Sequence, residues 1–377
     1  MKKLITLSTL ALSCFAANAE LRINGFANLV GGLTSSDESV YGYNDKTSFN
    51  PESLFAIQMS GDINSKMSAT GQMVARGRND YDPAFEWAYL TYQASDRVSI
   101  SAGRLRLPLF KYSASKDVGY SYHWVTAPRA VYDVSFNNLD GFRFDYSNYA
   151  GDWEYNLQAG FGTVSNDLNT AVGPARLQVD NLALISAEAV YNYLKLRASY
   201  VTSKASISNT TIDGTIGGLR QAGLDALANN IAFTDDTATF TGIGLEYDTF
   251  NWFIGGEWTE IRIDDSFFPT TTSFYITAGF RSGKWTPSVT YEKQDANNPF
   301  KFIDQVAGLP TPIQPVANAV LVGLQQPFVE ENNLLSAAIR YDYDTNVALK
   351  ADISKYTDDI DDMRDATLLR FAVNYVF

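Results

Sequence analysis

Polar and apolar residues alternate with a period of two along most of the chain, in segments of about ten residues. From Met67 to Arg78 the odd positions are apolar or small, and the even positions are mostly polar. The segments Trp153 to Phe161 and Phe274 to Arg281 repeat the pattern. Because successive side chains of a β-strand point to opposite faces, each segment has one face suited to lipid and one suited to water. The pattern predicts an all-β, transmembrane, antiparallel up-and-down β-barrel. A soluble sandwich is the alternative, but its buried faces favour Val, Ile and Leu over this mixture of Gly, Ala and aromatic residues.

The connections between these segments alternate between short and long. Short turns such as Asn64-Ser65, Ser95-Asp96 and Ser282-Gly283 use residue types that form tight hairpins. Longer polar segments separate them, at residues 34–51, 105–132, 163–181, 203–236 and 294–331. The count predicts sixteen strands, seven short turns and eight longer loops, with fourteen or eighteen strands as alternatives. Residues 217–231 and 316–324 have helical character and predict short helices in two outer loops.

The first residues have the three parts of a secretory signal peptide. Lys2 and Lys3 precede an apolar stretch, and Ala17-Asn18-Ala19 forms a cleavage site. We therefore expect residues 1–19 to be removed and residues 20–377 to form the barrel. A lipoprotein anchored at Cys14 is the alternative, but the leucine usual three residues before such a cysteine is absent. Loss of Cys14, the single cysteine, would leave a mature chain without thiols in an oxidising compartment.

Composition narrows the function classes. The chain carries 42 acidic and 29 basic residues, for a formal net charge of −13, and it contains 22 Tyr and 23 Phe. No run of eighteen apolar residues follows the signal peptide, so no transmembrane helix is predicted. His123 is the only histidine, and its neighbour Ser121 is weak support for a nucleophile pair. We expect no enzyme activity, no metal site, no cofactor and no nucleic-acid partner.

Three stretches carry a resemblance to a known family. Residues 337–352 read as a hairpin, the last strand places Leu369 to Phe377 with aromatic and aliphatic residues on one face, and Gly103-Arg104 ends the fifth strand before a long loop. These stretches resemble the general diffusion porins of Gram-negative bacteria. The resemblance implies a sixteen-stranded barrel, usually a homotrimer, whose third loop folds inward and narrows the pore. It also implies that Phe371, Tyr375 and Phe377 form the signal read by the barrel assembly machinery, and that outer-membrane lipid and lipopolysaccharide surround the barrel.

Two departures from the family pattern concern the loops. The acidic, glycine-rich tip of the family's third loop is not visible in residues 109–117. The second loop, at residues 80–83, is too short for the latch that reaches a neighbouring subunit, which weakens the expectation of a trimer.

Basic residues are the candidates for setting solute selectivity, because Arg and Lys lining a narrow pore favour anions. Strand parity, the third loop and, for Arg104 alone, the family resemblance predict the following positions at the pore: Arg76, Arg78, Arg104, Arg106, Lys111, Lys116, Arg129, Arg143, Lys195 and Arg197. Parity also places Arg281, Arg340, Lys350 and Arg370 inside. The alternative is that these cations are neutralised by acids across the lumen, among them Glu86, Asp145, Glu188, Glu257 and Glu292.

Arg104 conflicts with strict alternation. Val98, Ile100 and Ala102 would put it on the lipid face, where an exposed arginine costs roughly 2–4 kcal/mol at the bilayer midplane. We predict that the strand ends or bulges at Gly103 and that Arg104 faces the pore.

The sequence thus predicts a porin: a water-filled channel in the cell outer membrane for passive diffusion of small hydrophilic solutes and ions, with a weak preference for anions. A substrate-selective channel for phosphate or organic acids is one alternative. A structural or adhesive barrel without transport is the other.

Overall fold

A computed structural model describes residues 21–170 and 172–377. The predicted signal peptide and Cys14 lie outside these residues. Sixteen antiparallel strands pair in chain order, and β1 pairs with β16 to close the barrel. The strands are β1 Leu21–Thr34, β2 Leu54–Asn64, β3 Met67–Arg76, β4 Pro83–Ser95, β5 Val98–Arg106, β6 Asn138–Ala150, β7 Trp153–Thr170, β8 Gly173–Tyr191, β9 Leu194–Ser208, β10 Asp236–Asp248, β11 Trp252–Ile263, β12 Thr270–Phe280, β13 Trp285–Asn297, β14 Asn332–Asp344, β15 Val347–Asp358 and β16 Ala366–Val376.

The sixteen-strand prediction is confirmed, and seven short turns join the strands at one end, here called the turn end. One loop prediction is wrong. Residues 163–181 are not a long loop. Strand β7 continues to Thr170 and strand β8 begins at Gly173, so only two residues connect them. Seven longer connections, rather than eight, therefore occupy the opposite, loop end. The extended hairpin alternates buried Leu177 and Val179 with exposed Arg176 and Gln178, so its outward face is polar where a membrane strand would be apolar.

The two faces of each strand differ sharply in character, as β16 shows. Phe371 and Tyr375 are 46% and 40% exposed on the outside, whereas Arg370 and Asn374, each one position earlier, are buried inside. Large apolar side chains are exposed in the same way on the other strands, including Phe142 and Ile185. An apolar outer belt is the surface that a bilayer requires of a barrel. None of the helices in the described part of the chain is long and apolar enough to cross a membrane.

Aromatic side chains cluster at the turn end of the barrel. Trp153 stacks with Tyr191 at a ring separation of 5.0 Å, and Trp285 packs against Tyr341 at 4.4 Å. Trp252 is exposed at the first position of β11. Tryptophan and tyrosine favour the membrane–water interface, so this ring of aromatics marks one edge of the membrane-facing belt.

Five helices lie in the loops: α1 Arg129–Tyr132, α2 Thr210–Gln221, α3 Asp225–Ile231, α4 Ile303–Val306 and α5 Gln314–Gln325. Short 3-10 turns occur at Gly77–Asn79, Gly119–Ser121, Gln326–Phe328 and Asp362–Arg364. Both loops predicted to hold helices do so, α2 and α3 in one and α4 and α5 in the other. The Asn209 side chain begins α2 by accepting hydrogen bonds from the amides of Thr211 and Ile212, the usual role of an asparagine at this position.

The third loop, residues 107–137, lies inside the barrel, as the resemblance implied. Leu107, Leu109 and Phe110 of this loop are almost fully buried. They belong to a single apolar cluster with inward residues of the β7–β10 wall and with α2, α3 and α5. The lumen is therefore divided into an apolar side against β7–β12 and a polar side against β1–β4 and β13–β16.

Candidate functional site: the barrel lumen

Three basic side chains of the wall hold the third loop in place by donating hydrogen bonds to its carbonyl and hydroxyl oxygens. Arg340 Nη1 lies 2.6 Å from Tyr120 O and 2.8 Å from Tyr122 O. Lys350 Nζ lies 2.6 Å from Trp124 O and also donates to Gly119 O. Arg370 donates to Thr126 Oγ1 at 2.9 Å and pairs with Glu52 and Asp352. Parity placed all three inside correctly, but the sequence did not show that they bind the loop.

Two carboxylates on the opposite strands hold the loop by accepting hydrogen bonds. Glu257 of β11 accepts from the backbone amide of Lys111 at 2.8 Å, and from the hydroxyls of Tyr275 and Tyr132. Glu292 of β13 accepts from the amide of Ala130 at 3.1 Å. Together with the basic residues of β14–β16, these contacts fix the loop across the lumen.

An ion-pair network fills the point where the third loop meets β3–β5. Arg76 Nη2 lies 2.9 Å from both Glu86 and Asp117, and Arg106 lies 3.0 Å from Glu86 and 2.7 Å from Asp117. Burial alone would raise the pKa of Asp117, but the charges of Arg76 and Arg106 outweigh it and hold that pKa well below its ordinary value. These two arginines are therefore largely neutralised by acids.

Two adjoining cavities lie on the polar side of the lumen. The vestibule, of about 590 Å³, lies at the loop end and has Tyr41, Glu330 and Arg364 among its walls. The constriction cavity, of about 130 Å³, lies between the third loop and strands β1–β3. Both cavities share Pro51, Arg78, Arg129 and Asp133 as walls. A wide polar chamber thus leads into a narrow polar gap beside the inserted loop.

Arg78 differs from the other cations of this passage. It follows β3 in the 3-10 turn and forms no hydrogen bond or ion pair with any described residue, whereas Arg129 pairs with Asp133 and donates to Tyr41 O at 3.1 Å. Burial lowers the pKa of Arg78; the charges of Arg76 and Arg129 lower it further, and those of Asp133 and Asp117 act against this shift. The guanidinium thus lies among charges of both signs without an ion pair of its own, so it is available to an entering anion.

Four of the ten predicted cations line the constriction cavity: Arg76, Arg78, Lys116 and Arg129. Arg106 joins them through Asp117. The remaining inward cations are paired elsewhere. Lys111 pairs with Glu246, Arg143 with Asp145, and Lys195 and Arg197 both with Glu188. These cations are neutralised by acids, as the alternative expected, but the acids lie on the same strand, a neighbouring strand or the adjacent wall rather than across the lumen.

The prediction that Arg104 faces the pore is wrong. Strand β5 continues in register through Gly103, which adopts a φ of 131°, and Arg104 lies opposite Ala88 and Asp140. Asp140 shares the outward face of β6 with Phe142. The guanidinium donates to both carboxylate oxygens of Asp140, at 2.9 and 3.0 Å. This bidentate pair offsets the cost of an outward arginine, which strand parity alone could not reveal.

The three residues expected to form the assembly signal lie on the outer face of the closing strand. Tyr375 and Phe377 stack at 5.5 Å, Phe377 packs against Phe55, and Phe371 packs edge-on against Phe49. Whether they act as a signal during assembly stays a prediction.

The histidine and serine singled out in the sequence do not contact each other. His123 Nε2 lies 3.0 Å from Thr277 Oγ1, and its ring packs between Trp124 and Phe253. Ser121 Oγ donates to the carbonyls of Val118 and Ser115. Burial lowers the pKa of His123 well below its ordinary value. Within the described residues no group of three or more His, Cys, Asp and Glu is placed to hold a metal ion.

Sequence reasoning missed several residues of the passage. Asn28 of β1 accepts from the Gly119 amide and donates to Asp117 O, and Glu52 accepts from Arg370 and Thr126. Glu330, Asp358 and Arg364 line the vestibule. The inward parity of Asn28 was available from its strand, but loop residues carry no period that indicates which way they fold.

Among known proteins, the chain is similar only to proteins with solved structures, through its fold. No protein-family model and no curated protein sequence matches the chain. Among solved structures the chain is similar to the anion-selective porin from Comamonas acidovorans, with a TM-score of 0.59, 11% identity, and coverage of 96% of this chain and 100% of that one. The chain has the porin fold.

Two further solved structures show the same fold. One is OmpF of Salmonella typhi in complex with daunomycin, with a TM-score of 0.56 at 14% identity, covering 95% of this chain and 97% of that one. The other is the trimer form of OmpT, an outer-membrane protein of Vibrio cholerae, with a TM-score of 0.55 at 12% identity, covering 95% and 99%. The expected porin-like, sixteen-stranded architecture of an outer-membrane barrel is confirmed. At these identities the likeness concerns the fold alone.

Proposed function

We propose that this chain is an outer-membrane porin that lets small hydrophilic solutes and ions diffuse passively through the polar side of its lumen. The observation that carries the proposal is the vestibule that shares walls with the constriction cavity beside the inserted third loop. Passive diffusion needs no catalytic chemistry, and selection follows from the width of the passage and the charge of its walls. The partners of Ser121 and His123 give no support to a catalytic role.

A weak anion preference is part of the proposal. The constriction cavity has four cations, Arg76, Arg78, Lys116 and Arg129, against the three acids Glu52, Asp117 and Asp133. The vestibule is balanced, with three residues of each sign. The excess is one positive charge. Among the described residues neither Arg78 nor Lys116 has a paired acid, but Lys116 bonds to the neutral Asn137 side chain, whereas Arg78 forms no hydrogen bond. A preference that depends on one charge is expected to be small.

The test is the reversal potential of the purified protein in planar bilayers under a salt gradient. We expect Arg78→Gln to shift the anion-to-cation permeability ratio toward cations, since the passage loses its free positive charge. Arg104→Gln is the matched control, because it removes the same charge from the outer face. An unchanged ratio in Arg78→Gln, or an equal shift in Arg104→Gln, would contradict the assignment of Arg78. Absence of any conductance would favour a structural or adhesive barrel.

A substrate-selective anion channel is the second candidate, favoured by the narrow constriction cavity and its free guanidinium. Such a channel binds its solute during passage, so its conductance saturates as the solute concentration rises. We propose measuring conductance over a range of phosphate concentrations, with chloride as the comparison. Linear dependence for both anions supports the diffusion porin, and saturation by phosphate alone supports the selective channel.

The assembly and location that we propose follow the same fold. The chain is exported by its signal peptide at residues 1–19, inserted by the barrel assembly machinery, and surrounded by outer-membrane lipid and lipopolysaccharide. We propose a homotrimer, as in the trimer form of the Vibrio cholerae protein. The second loop, residues 77–82, is short, so the subunits would be held chiefly by their outer faces. Native gel mobility before and after heating tests the oligomer.

A further inference from the structure

The apolar side of the lumen departs from the usual design of a barrel that conducts water. Interior faces of transmembrane barrels are normally polar. Here the inward residues Leu177, Val179, Val201 and Phe240 are all at most 7% exposed and join the apolar cluster that includes α2 and α3. These residues pack against the third loop and the two helices, so an apolar core and not open water occupies this side of the lumen.

A third cavity, of about 260 Å³, lies within this apolar region between the third loop and strands β7–β12. Four aromatic rings are among its walls, from Phe136, Phe233, Phe240 and Phe268. A dry cavity of roughly 150 Å³ is enough to bind benzene, so this one accommodates a substituted aromatic ring. Rings lining a cavity favour an aromatic occupant through edge-to-face and stacked contacts.

The apolar cavity adjoins the polar passage. Asp133 is a wall of the apolar cavity, the vestibule and the constriction cavity alike, and Gln294 is a wall of both the apolar cavity and the vestibule. The Asp133 carboxylate is already paired with Arg129, so it does not present a free negative charge at this junction. Arg78, which has no ion pair, lines the vestibule and the constriction cavity together with Asp133. An apolar chamber thus meets a chamber with a free cation.

We propose that the lumen contains a binding site for a small monocyclic aromatic carboxylate, with its ring in the apolar cavity and its carboxylate directed toward Arg78 in the vestibule. The ring gains from leaving water, and the carboxylate supplies the partner that Arg78 lacks. Binding at this site does not require transport, so a barrel that failed to conduct ions would still show it. The binding site and the diffusion channel are therefore two separate proposals, and either can fail without the other.

The test is calorimetric titration of the mature protein in lipid nanodiscs with 3-phenylpropionate, with empty nanodiscs as the blank. Ala238 lies on the inward face of β10 and lines the cavity, so Ala238→Phe fills the space the ring would occupy. We expect this variant to weaken binding by roughly tenfold or more, because the ring loses its buried surface. Ala159→Phe is the matched control, since Ala159 is exposed on the outer face between Leu157 and Phe161. Heat-dependent gel mobility confirms that both variants are folded.

A second comparison tests the carboxylate. Wild type is expected to bind 3-phenylpropionate more tightly than the neutral 3-phenylpropanol, and Arg78→Gln is expected to remove the difference. Heat equal to that of empty nanodiscs, or wild-type affinity in Ala238→Phe, would overturn the site. Equal affinity of wild type for the acid and the alcohol would overturn the role of Arg78. A stoichiometric lipid that is extracted from wild type but not from Ala238→Phe would assign the cavity to an acyl chain and overturn the proposal.

Discussion

At the scale of single residues, the charge of the passage depends on which interior cations keep their charge unpaired. Arg76 and Arg106 share Glu86 and Asp117, and Arg143 pairs with Asp145. Counting arginines along inward-facing strand positions therefore overstates the positive potential. Lys116 differs from them, because its Nζ bonds to the neutral Asn137 side chain at 2.7 Å and lies 3.4 Å from Tyr132 O.

Lys116 should make selectivity depend on pH. Burial, only partly opposed by Asp117, lowers the pKa of this third-loop lysine to about 8. The free side chain titrates near 10.4, so as pH rises from about 7 to about 9 the folded channel loses a positive charge that an ordinary lysine would keep. We expect the anion-to-cation permeability ratio to fall over this interval in wild type and to stay level in Lys116→Met. Reversal potentials measured at a series of pH values test this prediction. A wild-type permeability ratio that does not change with pH would contradict the role given to Lys116.

Strand parity predicted which basic residues point inward but not what they contact. It placed Arg340, Lys350 and Arg370 inside correctly. The partner of Arg370 is Glu52, in a loop more than three hundred residues away in sequence, and no local pattern indicates such a pair. The failure at Arg104 had the same cause. The residue that makes its outward position tolerable is Asp140, on a neighbouring strand beyond the third loop.

At the scale of elements, the third loop is positioned by polar contacts to the wall rather than by regular structure of its own. Only α1 and one 3-10 turn interrupt it. The family resemblance implied that it folds inward, and its length permits this. Its path could not be predicted, because the contacts that fix it come from strands distant in sequence, β1, β3 and β9–β16.

Removing one of these wall contacts should loosen the loop. Arg340→Met deprives the carbonyls of Tyr120 and Tyr122 of their donor, and hydrogen bonds to charged groups contribute about 1.5–3 kcal/mol each. We expect larger current fluctuations through the open channel, with a conductance above that of wild type. Arg143→Met is a close control, because Arg143 also pairs with the aspartate two residues later but bonds no carbonyl of the third loop. Equal current noise in the two variants would argue against the loop contact as the cause.

The hairpin of β7 and β8 shows where element prediction failed and why. A strand inside the membrane has an apolar outer face, and residues 163–181 have a polar one, so they read as a loop. The strands in fact continue beyond the membrane-facing belt, where water replaces lipid outside while the apolar cluster persists inside. Polar and apolar residues still alternate, but here the apolar side chains point inward and the polar ones point outward. A period of two with polar residues outward is therefore compatible with a strand at the loop end of a barrel.

At the scale of the whole molecule, the strand count was predictable because every strand must span the same bilayer, which fixes a repeated length. Closure was predictable only as a consequence of that even count. The structure adds how the first and last strands meet. The backbone amide of Gly25 donates a hydrogen bond to the carbonyl oxygen of Phe377 at 2.9 Å. The rings of Phe371 and Phe377 lie over Gly31 and Gly25 of β1, respectively.

Closure should therefore be sensitive to a single methyl group at Gly25. A Cβ there would lie 2.2 Å from Cζ of Phe377 and 2.7 Å from the backbone oxygen of Ala56, so both the terminal ring and the β1–β2 pairing must shift. Overpacking of this kind costs typically about 1–3 kcal/mol. We expect Gly25→Ala to lower the temperature at which the barrel unfolds on a gel-shift assay. Gly61→Ala on the adjoining strand β2 is the matched control, because a Cβ at Gly61 meets nothing within 4 Å. If both variants unfold at the wild-type temperature, the contact of Phe377 with Gly25 does not contribute to holding the barrel closed, and the backbone pairing of β1 with β16 accounts for closure.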